Sequence, residues 1–483
     1  MHYYISASKE EPNYLQIIYT VKNIAAVSIE VQCPAWRPGR YEIQNFAKNI
    51  KNFSVTAPDG KVLLSRKISK DRWQIDTEGH DEIRISYAYY ACLKNAGSSY
   101  TDDQMMYLNF VNCCLYTEGR MHEPCQVELD LPAHFNIACG LPQISKHNLM
   151  ANDYYQLADS PLIASARLQH NEYFIGNTHF HIWIEGNINP DWDRIIHDFR
   201  RFSSVQIETM GEFPEPDYHF LCMILPTPYY HGVEHRNSTM LVLGPDTQDE
   251  EIYHDLLGVS SHELFHAWNV IRIRPQEMLP YDFTKENYFP TCFVAEGCTT
   301  YYGDLFLRRS GVMDDAGYFK ELEVYLIRHF GNSGNASLSL TESSFDLWLD
   351  GYDKGAPQRK VSVYHKGALT ALILDLYIRK KFNHSRSLDD IMRLLWQRFG
   401  KPFVGYSLDD YKSIAEEVTG EKLDWYWHEC IEGNTPLEER LNGALEFVGL
   451  TVDISANYET IRLLIDSQDG LKTLERNRWL NNQ

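Results

Sequence analysis

Two histidines four residues apart, with a glutamate directly after the first, mark the point in this chain where chemistry is concentrated: His262-Glu263-Leu264-Phe265-His266. On a helix, positions i and i+4 lie on one face about one turn apart, so both imidazoles can reach one ion. Neutral imidazole suits zinc, and the intervening glutamate can take a proton from a water on that ion. A catalytic zinc uses three protein ligands and keeps a fourth position open. The third ligand must come from a neighbouring element, and Ala295-Glu296-Gly297 supplies Glu296. It lies mid-helix among Phe293, Val294, Tyr301 and Leu305, where an unpaired carboxylate is costly to bury. The plainer alternatives are a chance pair of core histidines and a glutamate on a solvated helix face. Cys298, close to Glu296, reads as a small packing residue rather than a ligand.

Helices must hold these residues, and the chain announces them. One lies between Pro245 and Pro275, with Asp249, Glu250 and Glu251 at its start and Arg272 and Arg274 beyond its end, matching the helix dipole. A second begins near Pro290 and stops before Gly311, and a third covers about Val363 to Lys381. Ser387-Leu388-Asp389-Asp390 and Ser407-Leu408-Asp409-Asp410 each predict a capped helix start. Upstream, Tyr218–Leu225 and Ser238–Leu243 read as strands joined by a loop that contains Gly232 and Glu234. Roughly the first 165 residues read as β structure, with Leu15–Val21, Ser28–Val31 and Ile83–Tyr87 rich in β-branched and aromatic residues and turn signals at Pro38-Gly39 and Asp59-Gly60. An antiparallel sandwich is the simplest architecture for them.

Whole-chain properties narrow the function classes. At 483 residues, two or three domains are expected. Net charge is −21, from 45 basic and 66 acidic residues, which argues against nucleic acid or an anionic membrane as partner. No apolar stretch approaches the length that spans a bilayer. Met1-His2-Tyr3-Tyr4 lacks the basic end and apolar run of a secretory signal, so the expected location is cytoplasmic. The ten cysteines show no CxxC spacing and read as free thiols. Asn-x-Ser/Thr words such as Asn335-Ala336-Ser337 then carry no glycan.

Several words, taken in order, resemble the glycyl aminopeptidase family of gluzincin metallopeptidases: Ser261-His262-Glu263-Leu264-Phe265-His266-Ala267-Trp268-Asn269, then Arg272-Ile273-Arg274-Pro275, then Glu296-Gly297-Cys298-Thr299-Thr300-Tyr301-Tyr302. The resemblance extends upstream to Pro34-Ala35-Trp36-Arg37-Pro38-Gly39-Arg40-Tyr41. It implies an α+β multidomain fold: an N-terminal antiparallel β-sandwich (1–165), a thermolysin-like catalytic domain of small sheet plus helices (166–345), a helical region completing the active site (346–440) and a short C-terminal tail (441–483). Many relatives carry a C-terminal PDZ module, and this tail is too short for a complete one.

The resemblance also directs attention to two further words. Tyr364-His365-Lys366-Gly367 is similar to the family's Tyr-x-Lys-Gly element, whose tyrosine stabilises the oxyanion. Tyr352-Asp353-Lys354-Gly355 has the same spacing, but Pro357 follows it, whereas an apolar helix follows Tyr364. Gly232-Val233-Glu234-His235 is similar to the Gly-x-Glu exopeptidase element of an edge strand, where glycine admits substrate backbone and the carboxylate pairs with a free α-ammonium. His235 departs from the more distant relatives, which carry Asn there. Thr300 or Asp304 could orient a ligand imidazole.

The expectation is therefore an aminopeptidase: zinc on His262, His266 and Glu296, Glu263 as base, Tyr364 at the oxyanion, and Gly232, Glu234 and His235 at the substrate amine. Its partner would be a peptide with a free N-terminus, and the resemblance implies a preference for glycine or alanine. The rivals are a zinc endopeptidase, indifferent to a blocked N-terminus, and a non-catalytic scaffold that retains the fold.

Overall fold

A computed structural model describes residues 1–483 other than 333, 335, 336, 354, 456, 457 and 459. Asn335 and Ala336 of the glycosylation word, and Lys354 of the second Tyr-x-Lys-Gly word, lie outside the described residues. The chain forms two compact units, each assembled from separate stretches. One comprises Met1–Pro190, Glu215–Leu256 and Asp282–Glu286; the other comprises Asp191–Pro214, Leu257–Tyr281 and Asn287–Gln483.

The first unit is built from sheets. Seven strands run in the spatial order Gln143–Ser145, Asn148–Ala151, Cys125–Asp130, His2–Ala7, Tyr14–Val21, Ile83–Tyr90 and Ile50–Thr56. Alternation buries Leu15, Ile17, Tyr19 and Val21 on one side of their strand. His2–Ala7 pairs in parallel with Cys125–Asp130, so the sheet is not wholly antiparallel. Two four-stranded sheets accompany it.

A five-stranded sheet follows: β1 (Gln169–Ile175), β2 (Thr178–Glu185), β3 (Asp217–Ile224), β4 (Tyr229–Glu234) and β5 (Ser238–Gly244), in the order β1-β2-β3-β5-β4. β3 pairs in parallel with β2 and β5; the other pairings are antiparallel. The stretch read as a loop around Gly232 is thus the edge strand β4. Its Val233 joins Leu221, Met223, Met240 and Val242 in a core shared with Met105, Tyr107 and Ile163.

The second unit is helical. Asp191 caps α1 (Trp192–Met210), and Gly211 ends it in the left-handed region at φ 94°. The pentad lies at the end of α2 (Glu250–Phe265), whose residues from Leu257 onward belong to this unit. A π-helical turn, Phe293–Cys298, leads into α3 (Thr299–Arg309), so Glu296 sits in that turn and not in regular helix. Then come α4 (Asp315–Phe330) and α5 (His365–Lys381). Ser387 and Ser407 form full capping boxes at α6 (Leu388–Leu395) and α7 (Leu408–Thr419), as their sequence predicts. A buried ionic frame joins three of these helices: Arg309 and the Tyr302 hydroxyl both reach Asp389, while Arg379 and the Tyr301 hydroxyl reach Asp375.

The tail packs on this unit. An antiparallel strand pair, Leu450–Ile454 with Ile461–Ile465, precedes α8 (Gly470–Asn481). Trp479 of α8 is fully buried and its indole N–H donates to the Tyr301 hydroxyl at 3.0 Å.

Candidate metal centre

The end of α2 is pinned beside its first histidine. Gln206 of α1 donates to the Ser261 carbonyl at 2.9 Å, and the Ser261 hydroxyl donates to the Gly303 carbonyl of α3 at 2.6 Å. A methyl group on Gly303 would lie 3.3 Å from the His262 Cα, so glycine there lets α3 pass close over the turn that carries His262.

Three donor atoms converge within this unit. His262 Nε2 and His266 Nε2 are 3.0 Å apart, and Glu296 Oε2 lies 3.4 Å from His266 Nε2 and 3.9 Å from His262 Nε2. Donors about 2 Å from one tetrahedral ion stand about 3.3 Å from each other, so this triangle fits zinc. Burial pushes the His262 pKa down to about 3, with the neighbouring His266 adding to the effect and Glu296 opposing it. The ring is therefore neutral, the form that binds metal. His266 Nδ1 lies 2.6 Å from the Asn269 carbonyl; it carries the proton, which leaves Nε2 as the free lone pair. Glu263, one position after His262, is buried.

Asn269 ties the pentad segment to the segment that carries Glu296. Its side-chain amide donates to the carbonyls of Val294 (2.8 Å) and Ala295 (3.3 Å) and to the Thr299 hydroxyl (3.1 Å), around the turn that carries Glu296. In the sequence Asn269 closes the Ser261–Asn269 word with no role that its position shows, while Thr300 and Asp304 are the residues placed to orient a ligand imidazole. In the structure the Tyr325 hydroxyl donates to the Asp304 carboxylate and to the Thr300 carbonyl.

Tyr364 stands at the N-terminus of α5, and its carbonyl accepts from the Ala368 N–H at 2.8 Å. One turn on, Gly367 meets Gly297 of the π-turn backbone to backbone. Tyr352, by contrast, is exposed and outside any helix. Lys366, between Tyr364 and Gly367, was not singled out by sequence. Its ammonium is buried with no hydrogen-bond partner among the described residues, and burial pushes its pKa down to about 8.

The first unit holds Gly232, Glu234 and His235 on and just after edge strand β4. Glu234 is buried, and a methyl group on Gly39 would come within 2.6 Å of its Oε2. Gly39, at φ 74°, thus lies against this carboxylate, a neighbour that the Pro34–Tyr41 word did not reveal. His235 Nδ1 lies 2.9 Å from Asp159 Oδ1, and the Arg236 N–H donates to the other oxygen of Asp159 at 3.0 Å.

Comparison with known proteins agrees with this geometry. Residues 2–166 match the Peptidase M61 N-terminal domain, and residues 255–370 match the M61 glycyl aminopeptidase family. An aminopeptidase N family protein from Idiomarina loihiensis is 30% identical and superposes with a TM-score of 0.87, over 94% of this chain and 79% of that one. An M1 zinc metallopeptidase from Deinococcus radiodurans is similar in fold at 14% identity and a TM-score of 0.54, over 90% of this chain and 94% of that one. A mutant of an M1 zinc metallopeptidase from the same organism, bound to a Tyr-Ser-Ala substrate, gives 14% and 0.55 over the same shares. A search of curated proteins returns no match. No helix among the described residues is long and apolar enough to cross a membrane. With both parts of the family's pattern in order along the chain and a 30%-identical relative sharing nearly all of its length, this metallopeptidase belongs to the M61 glycyl aminopeptidase family.

Proposed function

We infer that the enzyme is a zinc-dependent aminopeptidase that removes one residue from the free amino end of a peptide, favouring small residues such as glycine and alanine. The observation that carries this reading is the triangle of His262, His266 and Glu296, at tetrahedral spacing beside a buried Glu263. Zinc held there would supply a Lewis acid that acidifies a water and polarises the peptide carbonyl. Glu263 takes the proton from the attacking water and returns it to the leaving amine. Tyr364 donates a hydrogen bond from its phenol to the carbonyl oxygen as charge develops there.

Selection of the N-terminus falls to β4. Glu234, with little water around it, would make a strong charge-assisted pair with the substrate α-ammonium. Gly232 lets substrate backbone approach the strand, and His235, held by Asp159, fixes the chain just beyond Glu234. The preference for glycine or alanine rests on family resemblance.

The test is a panel of free and N-acetylated glycyl and alanyl substrates with metal analysis of the same protein. Free substrates should be cleaved and blocked ones spared, with one zinc required at the pentad. Equal cleavage of both would replace this reading with an endopeptidase. Loss of discrimination in Glu234→Ala would support the amine-binding role.

A further inference from the structure

Strands β1, β2 and β3 carry a second group of metal-binding side chains, outside the pentad. Alternation sends His170 and Glu172 of β1, His179, His181 and Trp183 of β2, and Asp217 and His219 of β3 to one face of the sheet. The register sets Glu172 opposite His181, and His181 opposite His219. Farther along β3 the same face carries Leu221 and Met223 into the core. At this end it opens to solvent, with His170 and Glu172 exposed and His181 half-buried.

The donor geometry repeats that of the pentad. His170 Nε2 is 3.1 Å from His181 Nδ1, and Glu172 Oε2 is 3.6 Å from His181 Nδ1 and 3.9 Å from His170 Nε2. The corresponding separations among His262, His266 and Glu296 are 3.0, 3.4 and 3.9 Å. A strand pair thus makes nearly the same triangle as a helix and a π-turn.

The rings are also held in place. Trp183 stacks on His170 with centroids 3.8 Å apart, and His219 stacks on His181 at 4.4 Å. His219 is locked in turn: the Trp183 indole N–H donates to its Nδ1 at 3.1 Å, so its own proton sits on Nε2, 3.1 Å from Asp217 Oδ2. A fourth candidate donor is near, because His179 Nε2 lies 3.0 Å from Glu172 Oε2. Fixed imidazoles backed by hydrogen-bonded neighbours are how proteins prepare metal ligands.

We propose that His170, Glu172 and His181 bind a second divalent transition-metal ion, independent of the one at His262, His266 and Glu296. Two imidazoles with one carboxylate select zinc, nickel or copper over magnesium or calcium, which prefer all-oxygen sites. The ion joins β1 to β2 and so fastens the hairpin. Three protein donors at a partly open surface leave room for water or for His179, and hold metal less tightly than the buried pentad.

Equilibrium dialysis of metal-stripped, tag-free protein against Zn²⁺, with bound metal counted by mass spectrometry, tests the proposal without reference to activity. The parent should take up two equivalents, and the His170→Ala/His181→Ala and His262→Ala/His266→Ala proteins one each. A single equivalent in the parent, or two retained after His170→Ala/His181→Ala, overturns it. Because loss of two stacked rings also removes packing, Glu172→Gln provides a gentler variant. Zn²⁺ should raise the Tm of the His262→Ala/His266→Ala protein, and adding Glu172→Gln should shrink that rise. A rise that is absent, or unchanged by Glu172→Gln, also overturns the proposal.

Discussion

Gly297 and Gly367 touch through bare backbone: a methyl group on Gly297 would come within 2.6 Å of the Gly367 Cα, and one on Gly367 within 2.8 Å of the Gly297 Cα. Glu296 precedes the first glycine and Tyr364 stands one turn before the second, so this contact sets the spacing between the Glu296 turn and the Tyr364 backbone. Gly367→Ala should force the two segments apart, at about 1–3 kcal/mol of overpacking. Activity should fall by about 100-fold, since small displacements of reacting groups have effects of that order. Thermal unfolding, zinc content and kcat measured on one preparation check both statements.

Asn269→Ala removes the three donations that bind the pentad segment to the Glu296 turn. The His266 bond to the Asn269 carbonyl survives this change in principle, but its anchor is lost. Zinc affinity should fall by about 10- to 100-fold, the range typical of groups that orient metal ligands. Titration against a competing chelator measures it.

Glu263→Gln and Tyr364→Phe should both keep zinc at parental stoichiometry while losing kcat. Loss of a general base costs about 10²- to 10⁴-fold, and loss of one oxyanion donor about 10²- to 10³-fold. KM for free-amine substrates should stay near the parental value in both. Hydrolysis by Glu263→Gln at the parental rate would remove the proposed mechanism.

Lys366 makes the stability of the fold pH-dependent. Burial sets its folded pKa at about 8 against an ordinary value of 10.5. Between these values the unfolded chain still holds a proton that the folded chain has released, so stability rises as pH rises through the window. Below it the buried charge costs on the order of 3 kcal/mol. Lys366→Met should be more stable than the parent near neutrality and should lose that advantage toward about pH 10. Urea unfolding of both proteins across the window reads the difference.

Trp479→Ala should cost about 3–5 kcal/mol, because it empties a fully buried site and leaves the Tyr301 hydroxyl without its indole donor. Tyr301 lies on α3, directly beyond the Glu296 turn, so metal retention on warming should fall with it. A folded second unit of unchanged Tm in Trp479→Ala would show that the tail is dispensable.

The α+β layout and the helices bearing His262, His266 and Tyr364 were legible because their signals are local: spacing, caps, prolines and apolar runs. Ser387 and Ser407 are cases in point, since a capping box is complete within four residues. What could not be read depends on contacts between distant segments. Asn269 acts through backbone carbonyls at 294 and 295, which no side-chain pattern encodes. The apposition of Gly39 and Glu234 joins residues far apart in sequence. The histidine face of β1–β3 is written as alternating words, His-x-Glu, His-x-His and Asp-x-His, but only strand order and register bring them together. The tail was too short to classify by pattern, and its place became clear only through Trp479.

The π-turn at Phe293–Cys298 has a consequence for how this enzyme can vary. Such a turn holds one residue more than the helix it interrupts, and each residue of a regular helix advances by about 100°. Deleting Gly297 or Cys298, the two positions between Glu296 and α3, would let the backbone close into an unbroken α-helix and swing Glu296 out of phase with α3, even if every remaining side chain were kept. The direction of the Glu296 carboxylate is therefore stored as a residue count, and insertions or deletions here would be more damaging than conservative exchanges.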